Sequence, residues 1–274
     1  MRHPLVSQII VVGIILVASY LLESYRSYIL PKRIWAYWDR NVPDSIRANI
    51  ENNKKVLYDW EYTFLTEKTL PQYLDPITFP DQFVTLSAPH RADYIRLELL
   101  KRYGGVWMDA GIIVHSRDEL NKMRREAMAS KAQLSAFTLT EKQHLYIENW
   151  FIMAPLYSQV IHVWSKEYTS AVTQGFLQYK QALFKEKDIH IIEKIYKRDD
   201  ENVYLTQHAC LQAVLQKRLK KPGVILLYKS EDNMFKIQVQ CEWDTACVKD
   251  RIKSDPSIKK ISFIKLRGSD RESN

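Results

Sequence analysis

The 274-residue sequence has few glycines, prolines and cysteines: seven, ten and three. So little glycine and proline excludes collagen-like and low-complexity chains. Three cysteines in a chain of this size do not make a disulfide scaffold. Cys241 and Cys247 are near enough in sequence to pair in an oxidising lumen. Spacing alone establishes no bond, so free thiols are the expectation for these two and for Cys210. No cysteine pair has metal-site spacing, no Asn-x-Ser/Thr sequon occurs, and no repeat recurs at a fixed period. Zinc-finger and RNA-recognition signatures are missing as well, which removes the usual nucleic-acid modules.

What is present is a chain with 46% hydrophobic residues, enough for one large domain with a substantial core. Forty Lys and Arg against 32 Asp and Glu leave a formal charge of +8. The basic residues are spread out, with denser runs only at Lys217 to Lys221 and from Lys259 onward. That distribution reads as a solubilising surface, and no nucleic-acid partner is expected.

After a short tail (1–4), Leu5 to Leu22 runs LVSQIIVVGIILVASYLL without a charge. As a helix it spans roughly 27 Å, close to the thickness of a bilayer core. Glu23-Ser24-Tyr25-Arg26 follows, a poor signal-peptidase site. Residues 5–22 are therefore expected to be an uncleaved single-pass anchor contacting the lipid membrane. Basic residues on both flanks leave its orientation open. Residues 23–30 read as a stalk, 31–266 as the catalytic-sized domain and 267–274 as a polar tail.

Within the domain, Lys32 to Trp38 reads as a buried first strand. Pro43-Asp44 opens a helix to about Lys54, and Val56 to Trp60 is a second strand. Asp118 to Met128, Gln159 to Thr173 and Tyr204 to Leu219 read as helices. Leu134 to Leu139, Asn149 to Met153, Val224 to Tyr228 and Ile261 to Leu266 read as extended pieces. This alternation predicts an α/β domain with a mixed, mainly parallel sheet.

Residues 87–109, SAPHRADYIRLELLKRYGGVWMD, carry the densest signal. Ser87 suits an N-cap and Pro89 a first helical turn. Ala92, Ile95, Leu99 and Tyr103 form a helical stripe, and Gly104 stops the helix. Val106 to Met108 then make a short strand ending at Asp109. In open α/β sheets ligands bind outside the carboxyl ends of strands, which is where Asp109 stands. Asp93 and Arg96, three apart, share a helix face and return toward it. Alone, Asp-x-x-Arg is an ordinary surface ion pair; joined to the double glycine and the strand-end acid, it is far more specific. Trp35, Tyr37 and Trp38 admit two readings: stacking on a nucleobase, or core.

The block from Arg91 to Ala110 resembles the central motif of the capsular polysaccharide synthesis proteins and of the related DXD-type, mannosyltransferase-like transferases. Leu30-Pro31-Lys32-Arg33-Ile34-Trp35-Ala36-Tyr37-Trp38 is similar to the opening strand of those families, and weaker likeness occurs near Asn149 and Lys265-Leu266. The resemblance implies a GT-A-like nucleotide-diphospho-sugar transferase fold. It also implies a mainly retaining, Mn²⁺- or Mg²⁺-dependent transfer of sugar from a nucleotide-sugar donor to a glycan or glycoconjugate acceptor. Carried over residue by residue, it makes Asp109 the catalytic and metal-site carboxylate and Asp93 and Arg96 donor-site residues. Gly104, Gly105, Trp35 and Tyr37 are further donor-site candidates. Where a DXD motif has its second acid, this chain has Gly111. His208 is a candidate second metal ligand, against the alternative of a helix histidine satisfied by its neighbours. The missing acid also keeps open a non-catalytic member that binds glycans or organises a membrane complex.

Overall fold

A computed structural model describes residues 28–139, 147–186, 189–190, 192–196, 200–268 and 270. The expected anchor at 5–22 lies outside them. Among the described residues no helix is long and apolar enough to cross a membrane.

Along the chain the elements that position the site are β1 (Arg33–Trp38), α1 (Asp44–Val56), β2 (Glu61–Thr66), α2 (Ala88–Tyr103), β3 (Gly105–Met108) and β4 (Ile112–Val114). They continue with α3 (Asp118–Ser130), β5 (Leu134–Thr138), β6 (Ile147–Ala154), α4 (Gln159–Gln174), α5 (Phe176–Lys185) and α6 (Thr206–Ala213). The last are β7 (Ile225–Lys229), α7 (Lys236–Gln240), α8 (Thr245–Ser254) and β8 (Phe263–Lys265).

Six strands form one sheet in the order β2-β1-β3-β6-β5-β7. β1 pairs in parallel with β2 and β3, β5 in parallel with β7, and only β6 runs against its neighbours. The expected α/β domain with a mixed, mainly parallel sheet is what forms. The period of two along each strand sorts its side chains into two apolar layers. Trp35 and Trp107 enter one layer, with α2, α4 and α6; Ile34, Val106 and Met108 enter the other, with α3. A separate two-stranded sheet pairs β4 with β8.

Four expectations need correcting. The second strand is Glu61–Thr66, not Val56 to Trp60. α1 runs on to Val56, and Leu57 and Trp60 are buried at its end rather than on a pleat. β2 lies at the sheet edge and only Leu65 of it is fully buried, so it lacks the apolar density of an inner strand. The described end of the stalk is docked on the domain: the Tyr28 hydroxyl donates to the Ala127 and Ala132 carbonyls, and Leu30 is buried. The polar tail is not all tail, because Arg267 bonds the buried carboxylate of Asp270. Cys241 and Cys247 are disulfide-bonded, while Cys210 is free and buried. Glu242 and Trp243 take φ of +50° and +65°, folding the chain back, and Asp244 caps α8 by accepting from the Cys247 N–H at 2.7 Å. No sequence spacing encodes that turn.

Candidate functional site

A cavity of about 630 Å³ opens where β1 and β3 end and β6 begins. Because β6 is reversed, its first residues share an edge with the last residues of β1 and β3, and the cavity has the position expected for a ligand of an open α/β sheet.

Arg96 is the hub of this cavity. Its Nη1 donates to Asp93 Oδ1 and, at 2.7 Å, to Gln207 Oε1. Its Nη2 donates to Asp109 Oδ1 at 3.2 Å, and the guanidinium lies 5.0 Å from the centre of the Trp107 ring. Asn149 Nδ2 donates to Asp93 Oδ1 (3.1 Å) and Gln207 Oε1 (2.8 Å), and Gln207 Nε2 donates to the Asp93 carbonyl (2.5 Å). Three elements, α2, β6 and α6, are thus tied through one guanidinium and two side-chain amides.

Asp109 follows β3, fixed by its N–H donating to the Trp150 carbonyl at 2.9 Å. Its side chain is a quarter exposed, whereas those of Asp93 and Arg96 are nearly sealed. Trp107 Nε1 donates to Oδ1 at 3.0 Å, and Lys265 Nζ stands 3.3 Å from Oδ2. Burial pushes this carboxyl up, but Lys265 and then Arg96 outweigh it and hold it below the ordinary carboxylate range. At the end of β1, Tyr37 donates to Asp39 Oδ1 at 2.9 Å, and Arg91 Nη2 donates to Oδ2 at 2.5 Å.

For Asp93 the balance tips the other way. Burial first, with the charge of Asp109 behind it, outweighs Arg96 and raises its pKa to about 6. A folded value above the unfolded 3.8 means that the folded state holds this proton more tightly. The stabilising contribution is full below pH ~4 and is lost as pH rises through about 6, up to about 3 kcal/mol. Thermal melts of wild type and Asp93→Asn from pH 4 to 7 check this. The wild type is expected to lose stability relative to the variant across that window, and parallel curves contradict it.

Of the residues singled out from sequence, Asp93, Arg96, Asp109, Gly111, Tyr37, Trp38 and His208 line the cavity. Trp35 does not: it is fully buried, donates Nε1 to the Gly104 carbonyl at 3.0 Å and packs against Tyr73 and Tyr103. Gly104 and Gly105 sit at the opposite end of β3 from Asp109. Their φ angles are +62° and +95°, and a Cβ on Gly105 would stand 2.6 Å from the Arg33 carbonyl oxygen. They serve chain geometry rather than contact with a ligand. Sequence reasoning missed Asp39, Gln207 and Arg267, and marked Lys265 only by a weak family likeness, without a role. Asp39 carried a signal, a strand-end acid after Trp38; Gln207 carried none.

A Mn²⁺ or Mg²⁺ ion needs oxygen donors that are not already committed to cations. Both Asp109 oxygens face N–H or ammonium groups. Among the described residues no group of three His, Cys, Asp or Glu side chains is placed to hold a metal ion. The surroundings of the Asp109 carboxylate do not fit such an ion.

A family model described as capsular polysaccharide synthesis protein matches residues 15–269. Among curated proteins, the O-glycosyltransferase braB of Annulohypoxylon truncatum is 28% identical over 169 residues, 53% of this chain and 40% of that protein. The glycosyltransferase afumC of Aspergillus fumigatus is 28% identical over 150 residues, 48% of this chain and 38% of that protein. The matches thus span about two-fifths of those relatives' length. Among solved structures, a glycosyltransferase involved in glycosylation of the major capsid of PBCV-1 aligns with TM-score 0.46 and 9% identity, covering 86% of this chain and 94% of that one. The galactosyltransferase LgtC, in complex with donor and acceptor sugar analogs, aligns with TM-score 0.41 and 13% identity, covering 86% and 87%.

Proposed function

The chain belongs to the capsular polysaccharide synthesis protein family, and on that footing we propose that it is a glycosyltransferase. It moves a sugar from a nucleotide-diphospho-sugar to a glycan or glycoconjugate hydroxyl. The observation that carries this reading is the Asp93–Arg96–Asp109 hub in a cavity at the strand ends, backed by Gln207 and Asn149.

In the reaction the bond between the sugar's anomeric carbon and the diphosphate breaks, and its electron pair leaves on the diphosphate oxygen. A new bond forms from that carbon to the acceptor hydroxyl oxygen, whose proton passes to the released diphosphate. The chain must therefore hold two flat or ring-shaped groups and meet growing negative charge. Trp38, Trp150, Tyr204 and Phe235 give the cavity aromatic walls for base and sugar faces. Asp109, ionised and a quarter exposed, accepts from a donor hydroxyl and keeps the cations around it in place. Asp93 is sealed beneath and orients Arg96.

Asp109→Asn tests the reading, because Asn retains an oxygen for Trp107 Nε1. Transfer from a sugar-nucleotide panel is expected to fall about 10²-fold or more with the fold unchanged by circular dichroism. An unaltered rate removes Asp109 from the mechanism. A second reading, a non-catalytic glycan or donor binder, draws on Gly111 standing where a second acid is usual. Donor binding without turnover by the wild type would favour it.

A further inference from the structure

We propose that Lys265, with Arg267 beside it, does the charge work usually given to a divalent ion, so that nucleoside-diphosphate binding is metal-independent. The inference rests on the nucleotide-sugar reading above and deepens it.

Three observations support it. The first is charge. Two acids and a divalent ion carry two negative and two positive charges; one acid and one ammonium cancel just as well. Here Asp109 has Lys265 Nζ 3.3 Å from Oδ2, and Lys265 is only 7% exposed. The second is space. Position 111, where a second acid would project, has no side chain, and its carbonyl accepts the Leu266 N–H at 3.3 Å. The strand that delivers Lys265 therefore runs directly past the residue that a metal site would need. The third is rigidity. The Lys265 N–H donates to the Met234 carbonyl at 2.8 Å, and Gln238 Nε2 donates to the Lys265 carbonyl at 2.8 Å.

Arg267 is held equally firmly. Nη2 donates to Asp270 Oδ1 (2.7 Å) and to the Trp243 carbonyl (3.0 Å), and the guanidinium lies 5.4 Å from the Trp243 ring centre. Trp243 itself stands inside the Cys241–Cys247 disulfide loop. Lys265 and Arg267 both line the cavity that holds Asp109. Fixed cations at the place where leaving-group charge develops need no reorganisation during the reaction. The diphosphate oxygens accept from them, and the released diphosphate departs with the electron pair of the broken bond.

The experiment is calorimetric titration of the full chain with UDP, GDP and ADP in turn, in excess EDTA and again with MnCl₂. At least one nucleotide is expected to bind within about threefold under both conditions. Lys265→Met is expected to weaken that binding roughly 10- to 150-fold, the range for a lost charged hydrogen bond. Lys265→Arg, which keeps the charge, should recover most of it, and melting temperatures monitor folding of both variants. Binding that vanishes in EDTA and returns with Mn²⁺ overturns the inference while leaving the transferase reading intact. So does full-strength binding by folded Lys265→Met. If no nucleoside diphosphate binds under either condition, the transferase reading itself fails and takes the inference with it.

Discussion

Arg96→Met is expected to cost about 3–5 kcal/mol of stability, the range for breaking a buried ion pair, and to abolish nucleotide binding. The arginine serves two carboxylates and one amide at once. Methionine fills the space over Trp107 but leaves Asp93, only 8% exposed, without a cation. Asp93 answers by taking up a proton, so the loss should be smaller at pH 5 than at pH 8. Lysine restores charge but not the fork that reaches three acceptors, so Arg96→Lys should recover stability only in part. Urea unfolding at the two pH values measures both effects. A Met variant as stable as the wild type at pH 8 would show that Arg96 is not the hub.

Gly105→Ala is expected to destabilise by about 2–5 kcal/mol through combined backbone strain and overpacking. The new Cβ meets a backbone oxygen of β1, which cannot rotate aside, at a φ that side chains rarely adopt. β3 must then part from β1, and Asp109 at its far end moves with it. Gly268→Ala is the control: nothing lies within 4 Å of a Cβ there, and no measurable change is expected. Denaturant midpoints for the two variants decide. Equal midpoints would mean that the close approach of β1 and β3 imposes no constraint.

These two residues also mark what could be read in advance. Helix, glycine stop and strand from 87 to 109 were legible because each signal is local, and folding brings Arg96 within 3.2 Å of Asp109 as the spacing suggested. Gln207 was not legible, because it joins Arg96 across 111 residues and nothing local prepares it. Trp35 and Tyr37 show another limit. Alternation places them on one face of β1, but depth along the strand decides which meets the cavity, and Tyr73 and Tyr103 cover Trp35. The edge strand β2 was misplaced for a related reason: Glu61, Thr63 and Thr66 break up the apolar run that would announce it. The disulfide depended on two non-glycine residues at positive φ, which composition does not announce.

β8 pairs with β4 from near the end of the sequence and carries Lys265 to Asp109. During synthesis those two residues emerge 265 − 109 = 156 positions apart, roughly 8–30 s at ordinary elongation rates. Until then Asp93 and Asp109 share the one guanidinium of Arg96, and the half-made pocket is net negative. Lys265 on β8 then brings the second cation, and two acids face two cations only once that strand has docked.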